Sequence, residues 1–184
     1  MAQISPRPCD DDNAAILIAY GSNLPSATAF PERQSASRAF AHVVKTLQER
    51  GLLVNRISSL WRSLAWPDTS DPPYVNAVIQ VKTELSPAAL LSLLHGIEYT
   101  AGRVREKRNA PRVLDLDLIA YGRTIMDEDS IMLPHPRAHE RAFVMGPVAE
   151  ILPGWLHPVV KETALDLWKK AEIGMDAHPM AEED

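Results

Sequence analysis

Glycine is scarce in this chain: eight occur in 184 residues, where ordinary usage of about 7% would give ~13. Neither G-x-x-x-x-G-K-[ST] nor G-x-G-x-x-G is present, so a phosphate here is held by side chains and cations, not by a glycine-rich backbone cradle. The single cysteine, Cys9, excludes an internal disulfide and a cysteine-based zinc cage. An excess of positive charge is also lacking. Nineteen Lys plus Arg face 24 Asp plus Glu, a formal charge of −5, which argues against a protein that coats nucleic acid. No apolar run approaches the ~18 residues of a membrane helix. The opening MAQISPRPCDDDN lacks the apolar stretch of a secretory signal. The expectation is a soluble, cytoplasmic protein with no nucleic-acid or membrane partner.

What is present suits one domain with a sizeable core, since 46% of the residues are apolar. Residues 1–13 and 176–184 are polar and acidic and read as disordered ends around a single domain, 14–175. Inside it, two periodicities alternate. Ala15 to Ala19 is a short buried strand. A helix follows from about Ser35 to Arg50, with Phe40, Val43, Val44 and Leu47 on one face and Gly51 as its stop. Leu52 to Arg62 reads as a strand, and residues 63–73, rich in Pro and Asp, as a loop. Tyr74 to Thr83 alternates, with Val75, Ala77, Ile79 and Val81 on one face. Ser86-Pro87 starts a second helix as cap and first-turn proline, running to about Gly102. Val113 to Ala120 is a fourth strand. The order β-α-β-β-α-β predicts an α+β, ferredoxin-like fold: an antiparallel sheet with helices on one face. The proline-rich remainder reads as irregular chain with an extra hairpin and short helices, the last from Thr163 to Ala171.

The densest polar stretch is GRVREKRNAPRVLDLDLIAYG, residues 102–122. On a strand Asp115 and Asp117 share a face while Leu114, Leu116 and Leu118 take the other. Two adjacent carboxylates repel unless a cation lies between them, and Mg²⁺ suits such a pair while keeping room for phosphate oxygens. Taken alone, D-x-D is more often a pair of solvated acids. Arg103, Arg105, Arg108 and Arg112 just upstream change that, because arginine pairs phosphate with a two-pronged fork. A second cluster is LPHPRAHERAF, residues 133–143. His135 is stiffened between prolines, and Arg137, Arg141 and Phe143 stand nearby. A third is Tyr74 with Asn76, a ring and a carboxamide on one strand face, fit for a flat heterocycle. Together the clusters suggest a metal–polyphosphate site beside a planar-ring site, and so phosphoryl or nucleotidyl transfer.

The motifs AYGSNL, YVNAV, PRVLDLDLIAYG and LPHPRAHERAFVMGPVAEI, in this order over roughly residues 14–160, resemble the 6-hydroxymethyl-7,8-dihydropterin pyrophosphokinases of folate biosynthesis. The resemblance implies transfer of pyrophosphate from ATP to the pterin hydroxymethyl group, releasing AMP. It also implies two Mg²⁺ ions held by Asp115 and Asp117, and a monomer whose partners are its two small-molecule substrates. Arg103 and Arg112 would act at the reacting phosphates with the two acids. Glu98, Arg105, Arg108, Leu118, His135 and Arg141 would bind ATP, Arg105 and Arg108 from a loop that closes over the nucleotide. Tyr74, Asn76, Phe143, Ser63, Trp66 and Asn23 would bind the pterin. The sequence departs from the family pattern at Asn109-Ala110, often Trp-Gly, and at Ser63-Leu64-Ala65-Trp66, where a Thr-Pro-Pro-Leu type is usual. A descendant that only senses nucleotide or pterin, a D-x-D glycosyltransferase and a ferredoxin-like nucleic-acid binder are the competing readings. The intact acids and arginines oppose the first, the chain length the second and the net charge the third.

Overall fold

The computed structural model describes residues 12–23, 36–65, 68–101 and 114–181. Its first strand, β1 (Ile16–Ser22), is apolar on both sides and lies inside a six-stranded sheet, with a paired strand on each edge. Helix α1 (Ala36–Glu49) follows, burying Ala39, Phe40, Val43 and Leu47. It stops as Gly51 implies. Gly51 has φ +89, and the Leu52 and Gly51 amides donate to Leu47 and Gln48 carbonyls at 3.1 and 2.9 Å, the paired bonds of a glycine-terminated helix. After β4 (Tyr74–Lys82), helix α2 (Pro87–Thr100) starts at Ser86, whose hydroxyl accepts from the Ala89 amide at 3.3 Å. β5 (Asp115–Tyr121) then returns beside β1.

Between α1 and β4 the expected single strand from Leu52 to Arg62 is two, β2 (Leu53–Ile57) and β3 (Trp61–Ser63). The break has a cause in side-chain hydrogen bonding. The Ser58 hydroxyl accepts from the Val78 amide at 2.9 Å, and the Ser59 amide and hydroxyl both donate to Glu150, each at 2.8 Å. Bonds that a continuous strand would make through its backbone are here made by two serines and a distant carboxylate. The strand order is β5-β1-β4-β3, with β2 also on β4, and every pairing is antiparallel. This is the ferredoxin-like plan with one strand split.

The sheet has helices on both faces, not one. Ile16, Ile18, Tyr20, Ala77, Ile79, Leu116 and Leu118 meet α1 and α2. Leu17, Val78 and Ile119 meet α3 (Ala142–Ile151) and α4 (Ala164–Lys170). A short hairpin, β6 (Met126–Glu128) and β7 (Ile131–Leu133), precedes them. The second helical layer explains why Asn76 and Gln80, on the face expected to be polar, are buried. Its close approach rests on Gly146 of α3, where a Cβ would come within 2.5 Å of the Trp61 ring.

Residues within both ends expected to be disordered take part in the fold. Asp12–Ala14 forms a 3₁₀ turn, with Asp12 paired to Arg56 at 3.3 Å and the Asn13 side chain accepting from the Leu156 amide at 2.9 Å. Residues past Asp176 form β8 (His178–Pro179), which adds to the edge of β3. Among the described residues no helix is long and apolar enough to cross a membrane.

A buried histidine in the turn after α3 gives the fold an acid limit. His157 is 3% exposed, and its Nδ1 accepts from the amides of Val159 and Val160 at 3.2 and 3.1 Å. Burial, and then His139 and Lys161, push its imidazole from 6.5 down to about 4. The unfolded chain therefore takes up this proton first as pH falls, and stability is lost between about pH 6.5 and 4. His157→Asn should flatten this part of a stability–pH curve measured by denaturant unfolding; an unchanged slope would contradict the assignment.

Candidate active site

In an antiparallel sheet, paired residues point to the same face. Gly21 of β1 pairs with Asn76 on one side and Asp115 on the other, and Ala19 pairs with Val78 and Asp117. Trp61 pairs with Asn76 and Ser63 with Tyr74. The register thus gathers Ser63, Tyr74, Asn76, Asp115 and Asp117 on the α3 face, at one end of the sheet. There they line a cavity of about 160 Å³, closed from the helical side by Arg137, Arg141, Phe143 and Val144. Three separate sequence clusters share one space.

The cavity has a charged end and a ring-shaped end. At the charged end Asp115 and Asp117 stand two residues apart on β5. The Arg141 guanidinium is shifted down from its ordinary value by burial first and by Arg137 next, with Asp117 and Asp115 opposing. Its Nε is buried with no hydrogen-bond partner among the described residues. A buried cationic donor without an acceptor is suited to an anionic oxygen. His135 is tied to β5 by its amide, which donates to the Ile119 carbonyl at 2.8 Å. Burial, then Arg141, push its imidazole down to about 4. Nδ1 accepts from the Arg137 amide at 3.2 Å, so the neutral ring carries its proton on Nε2 and presents a donor.

At the other end Tyr74 and Phe143 are the aromatic walls, with Asn76 two residues from Tyr74 on β4. The Asn76 amide nitrogen donates to the Ser63 hydroxyl at 3.0 Å, which fixes the carboxamide's orientation. Arg141 lies over the Phe143 ring, 5.8 Å from its centre, and joins the two ends. Gly21 adds the floor: a Cβ there would stand 3.8 Å from Asp115 and 3.9 Å from Asn76, so a larger side chain would grow into the cavity.

Four expected residues do not line this cavity, and one of them, His135, stands near Arg141 and Asp115. Leu118 is in the core against α1 and α2, because the alternation that pairs Asp115 with Asp117 turns it to the other face. Asn23 is buried and donates to the Pro72 carbonyl at 3.3 Å, holding the loop before β4 to the end of β1 without lining the cavity. Glu98 is 1% exposed and accepts from the Leu116 amide of the edge strand at 2.8 Å, a position inside the fold. Arg103, Arg105, Arg108, Arg112 and Trp66 lie outside the described residues. The sequence reading passed over Gly21, Leu64 and Arg137 as site residues. Gly21 lies in the AYGSNL motif, Arg137 in LPHPR, and Leu64 in the Ser63-Leu64-Ala65-Trp66 departure from the family pattern.

Among the described residues no group of three or more His, Cys, Asp and Glu is placed to enclose a metal ion. Two carboxylates alone suit a hard cation that completes its shell with ligand oxygens and water.

Comparison with known proteins adds the lineage. Residues 17–153 fit the family model described as 7,8-dihydro-6-hydroxymethylpterin-pyrophosphokinase. A 2-amino-4-hydroxy-6-hydroxymethyldihydropteridine pyrophosphokinase of Synechocystis is 33% identical over 172 residues, covering 94% of this chain and 84% of that protein. The folic acid synthesis protein fol1 of Pneumocystis carinii is 36% identical over 148 residues, but the chain spans only 19% of its length. The crystal structure of Plasmodium falciparum HPPK-DHPS with pteroate superposes on 85% of this chain and 42% of that one, with a TM-score of 0.65 and 11% identity, a likeness of fold. On the breadth of the family fit, the chain belongs to the 7,8-dihydro-6-hydroxymethylpterin-pyrophosphokinase family.

Proposed function

We propose that this protein transfers the pyrophosphoryl group of ATP to the hydroxymethyl oxygen of 6-hydroxymethyl-7,8-dihydropterin, a step of folate biosynthesis. The new bond joins that oxygen to the β-phosphorus. The bond from the β-phosphorus to the oxygen bridging it to the α-phosphate breaks, AMP leaves, and the hydroxyl proton goes to solvent. The observation that carries this reading is the joining of a carboxylate–arginine end and an aromatic–carboxamide end in one cavity. Such a cavity seats a polyphosphate against a flat ring.

Asp115 and Asp117 are the residues that would hold Mg²⁺. Bound there with the triphosphate, the ion supplies charge neutralisation and an acidified hydroxyl. The chain's own part is positioning. Arg141, Arg137 and the neutral His135 donor face the phosphates. Tyr74 and Phe143 flank the pterin, and Asn76, oriented by Ser63, offers the ring edge its amide oxygen. No side chain is needed as a general base. Arg103, Arg105, Arg108 and Arg112 complete the phosphate contacts in this reading, and Trp66 the pterin cover. The same reading puts the enzyme in the cytoplasm as a monomer.

Binding tests it without turnover. With Mg²⁺ and a non-hydrolysable ATP analogue present, 6-hydroxymethylpterin fluorescence should change saturably on titration with the protein. The nucleotide and the pterin should each tighten the other by the same factor. No saturable pterin binding under these conditions would overturn the proposal.

A further inference from the structure

The segment after α4 lies beyond residues 17–153, where the family model ends. It runs along the outside of the proposed pterin pocket and is bonded to both of its sides. Ile173 pairs in a parallel bridge with Arg141: its carbonyl accepts from the Ala142 amide at 2.8 Å, and its amide donates to the Glu140 carbonyl at 3.2 Å. Gly174 follows with φ +70, and a Cβ at this position would collide with Cδ1 of Phe143. Asp176 then accepts the Leu64 amide at 2.5 Å through Oδ2. Beyond it, His178 and Pro179 pair with Arg62 and Trp61, and the Met180 amide donates to the Leu60 carbonyl at 2.8 Å. Phe143 lines the cavity from the helical side and Ser63 and Leu64 from the sheet edge. One segment therefore ties together two walls that are otherwise far apart in sequence.

We propose that residues 173–176 are a positioning strap that sets the width of the ring-binding end, with Gly174 determining how far back the Phe143 ring sits. The inference rests on the reading of Phe143 as a wall of the pterin pocket. The Phe143 ring occupies the space a side chain at 174 would need. A methyl group there must push the ring toward the cavity or push the strap away, and either changes the gap across which a flat heterocycle is held. Asp176 performs the matching task for Leu64: its carboxylate accepts from the backbone amide just past the end of β3. At the charged end, Asp115, Asp117 and Arg137 make none of these contacts, and Arg141 meets the strap through its backbone bridge to Ile173.

The test compares G174A, D176A and D176N by steady-state kinetics on the full chain, with thermal unfolding as a fold check. A displacement of about 1 Å in a positioning group costs up to ~10²-fold. The pterin KM is therefore expected to rise about tenfold in G174A and several-fold in D176A, with ATP KM and kcat within about twofold of the parent. D176N keeps an oxygen that can accept from the Leu64 amide and should restore the parent pterin KM. If G174A does not fold, D176A against D176N carries the test alone. An unchanged pterin KM in folded variants overturns the strap and leaves the proposed function standing, as does a parallel loss for both substrates. Absence of pterin turnover in the parent protein overturns both.

Discussion

Asp117→Asn is expected to lower turnover by about 10²-fold or more, ~2.7 kcal/mol of barrier, with the fold retained. The substitution keeps shape and removes charge. Asp117 is half-buried and pairs across β1 with Ala19, so the isosteric amide leaves the sheet register alone. What is lost is one of the two anionic oxygens sets available to a cation, and one of the charges opposing the downward shift of Arg141. Asp127 is the control. It is exposed, on β6 of the outlying hairpin, and the same substitution there should change turnover little. Rates measured at saturating Mg²⁺ decide the matter, and near-normal turnover in Asp117→Asn would remove this residue from the metal site.

Phe143→Ala should weaken pterin binding by roughly 1–3 kcal/mol through lost burial and stacking, about 5- to 150-fold. MgATP affinity should change little. Phe143 is half-buried, packed against the second buried cluster and against Gly174, so its removal opens the cavity without emptying the core. Its contact with Arg141, at 5.8 Å, is a route by which the truncation reaches the phosphate end. Equal loss of both affinities, together with a lower Tm, would make Phe143 an ordinary core residue.

The parts of this fold that could be read from the sequence are those where local chemistry and tertiary packing agree. Ser86-Pro87 and Gly51 begin and end helices by backbone rules that need no partner, and both are where expected. Alternation placed Asp115 and Asp117 on one face. The same rule argued against Leu118, which the family resemblance had carried into the nucleotide site and which the structure keeps in the core.

Elsewhere the deciding contacts are long-range. Ser59 breaks its strand through Glu150, on a helix 91 residues away. Helix α3 buries seven of its ten residues, including Gly146 and Pro147, so it shows no 3.6-residue stripe to announce a second layer. The acidic, proline-containing end looked unstructured because its order comes from backbone pairing with β3, which composition does not encode. Arg137 sits on an irregular turn, where no period says which way a side chain faces.

The nucleotide product is the most direct measure of the central claim. Incubation with ATP, Mg²⁺ and 6-hydroxymethyl-7,8-dihydropterin, followed by nucleotide chromatography, should show AMP formed in equal amount to the pterin consumed, and none when the pterin is left out. Formation of ADP instead would mean that a single phosphoryl group moves, and would contradict the assignment of this cavity to pyrophosphoryl transfer.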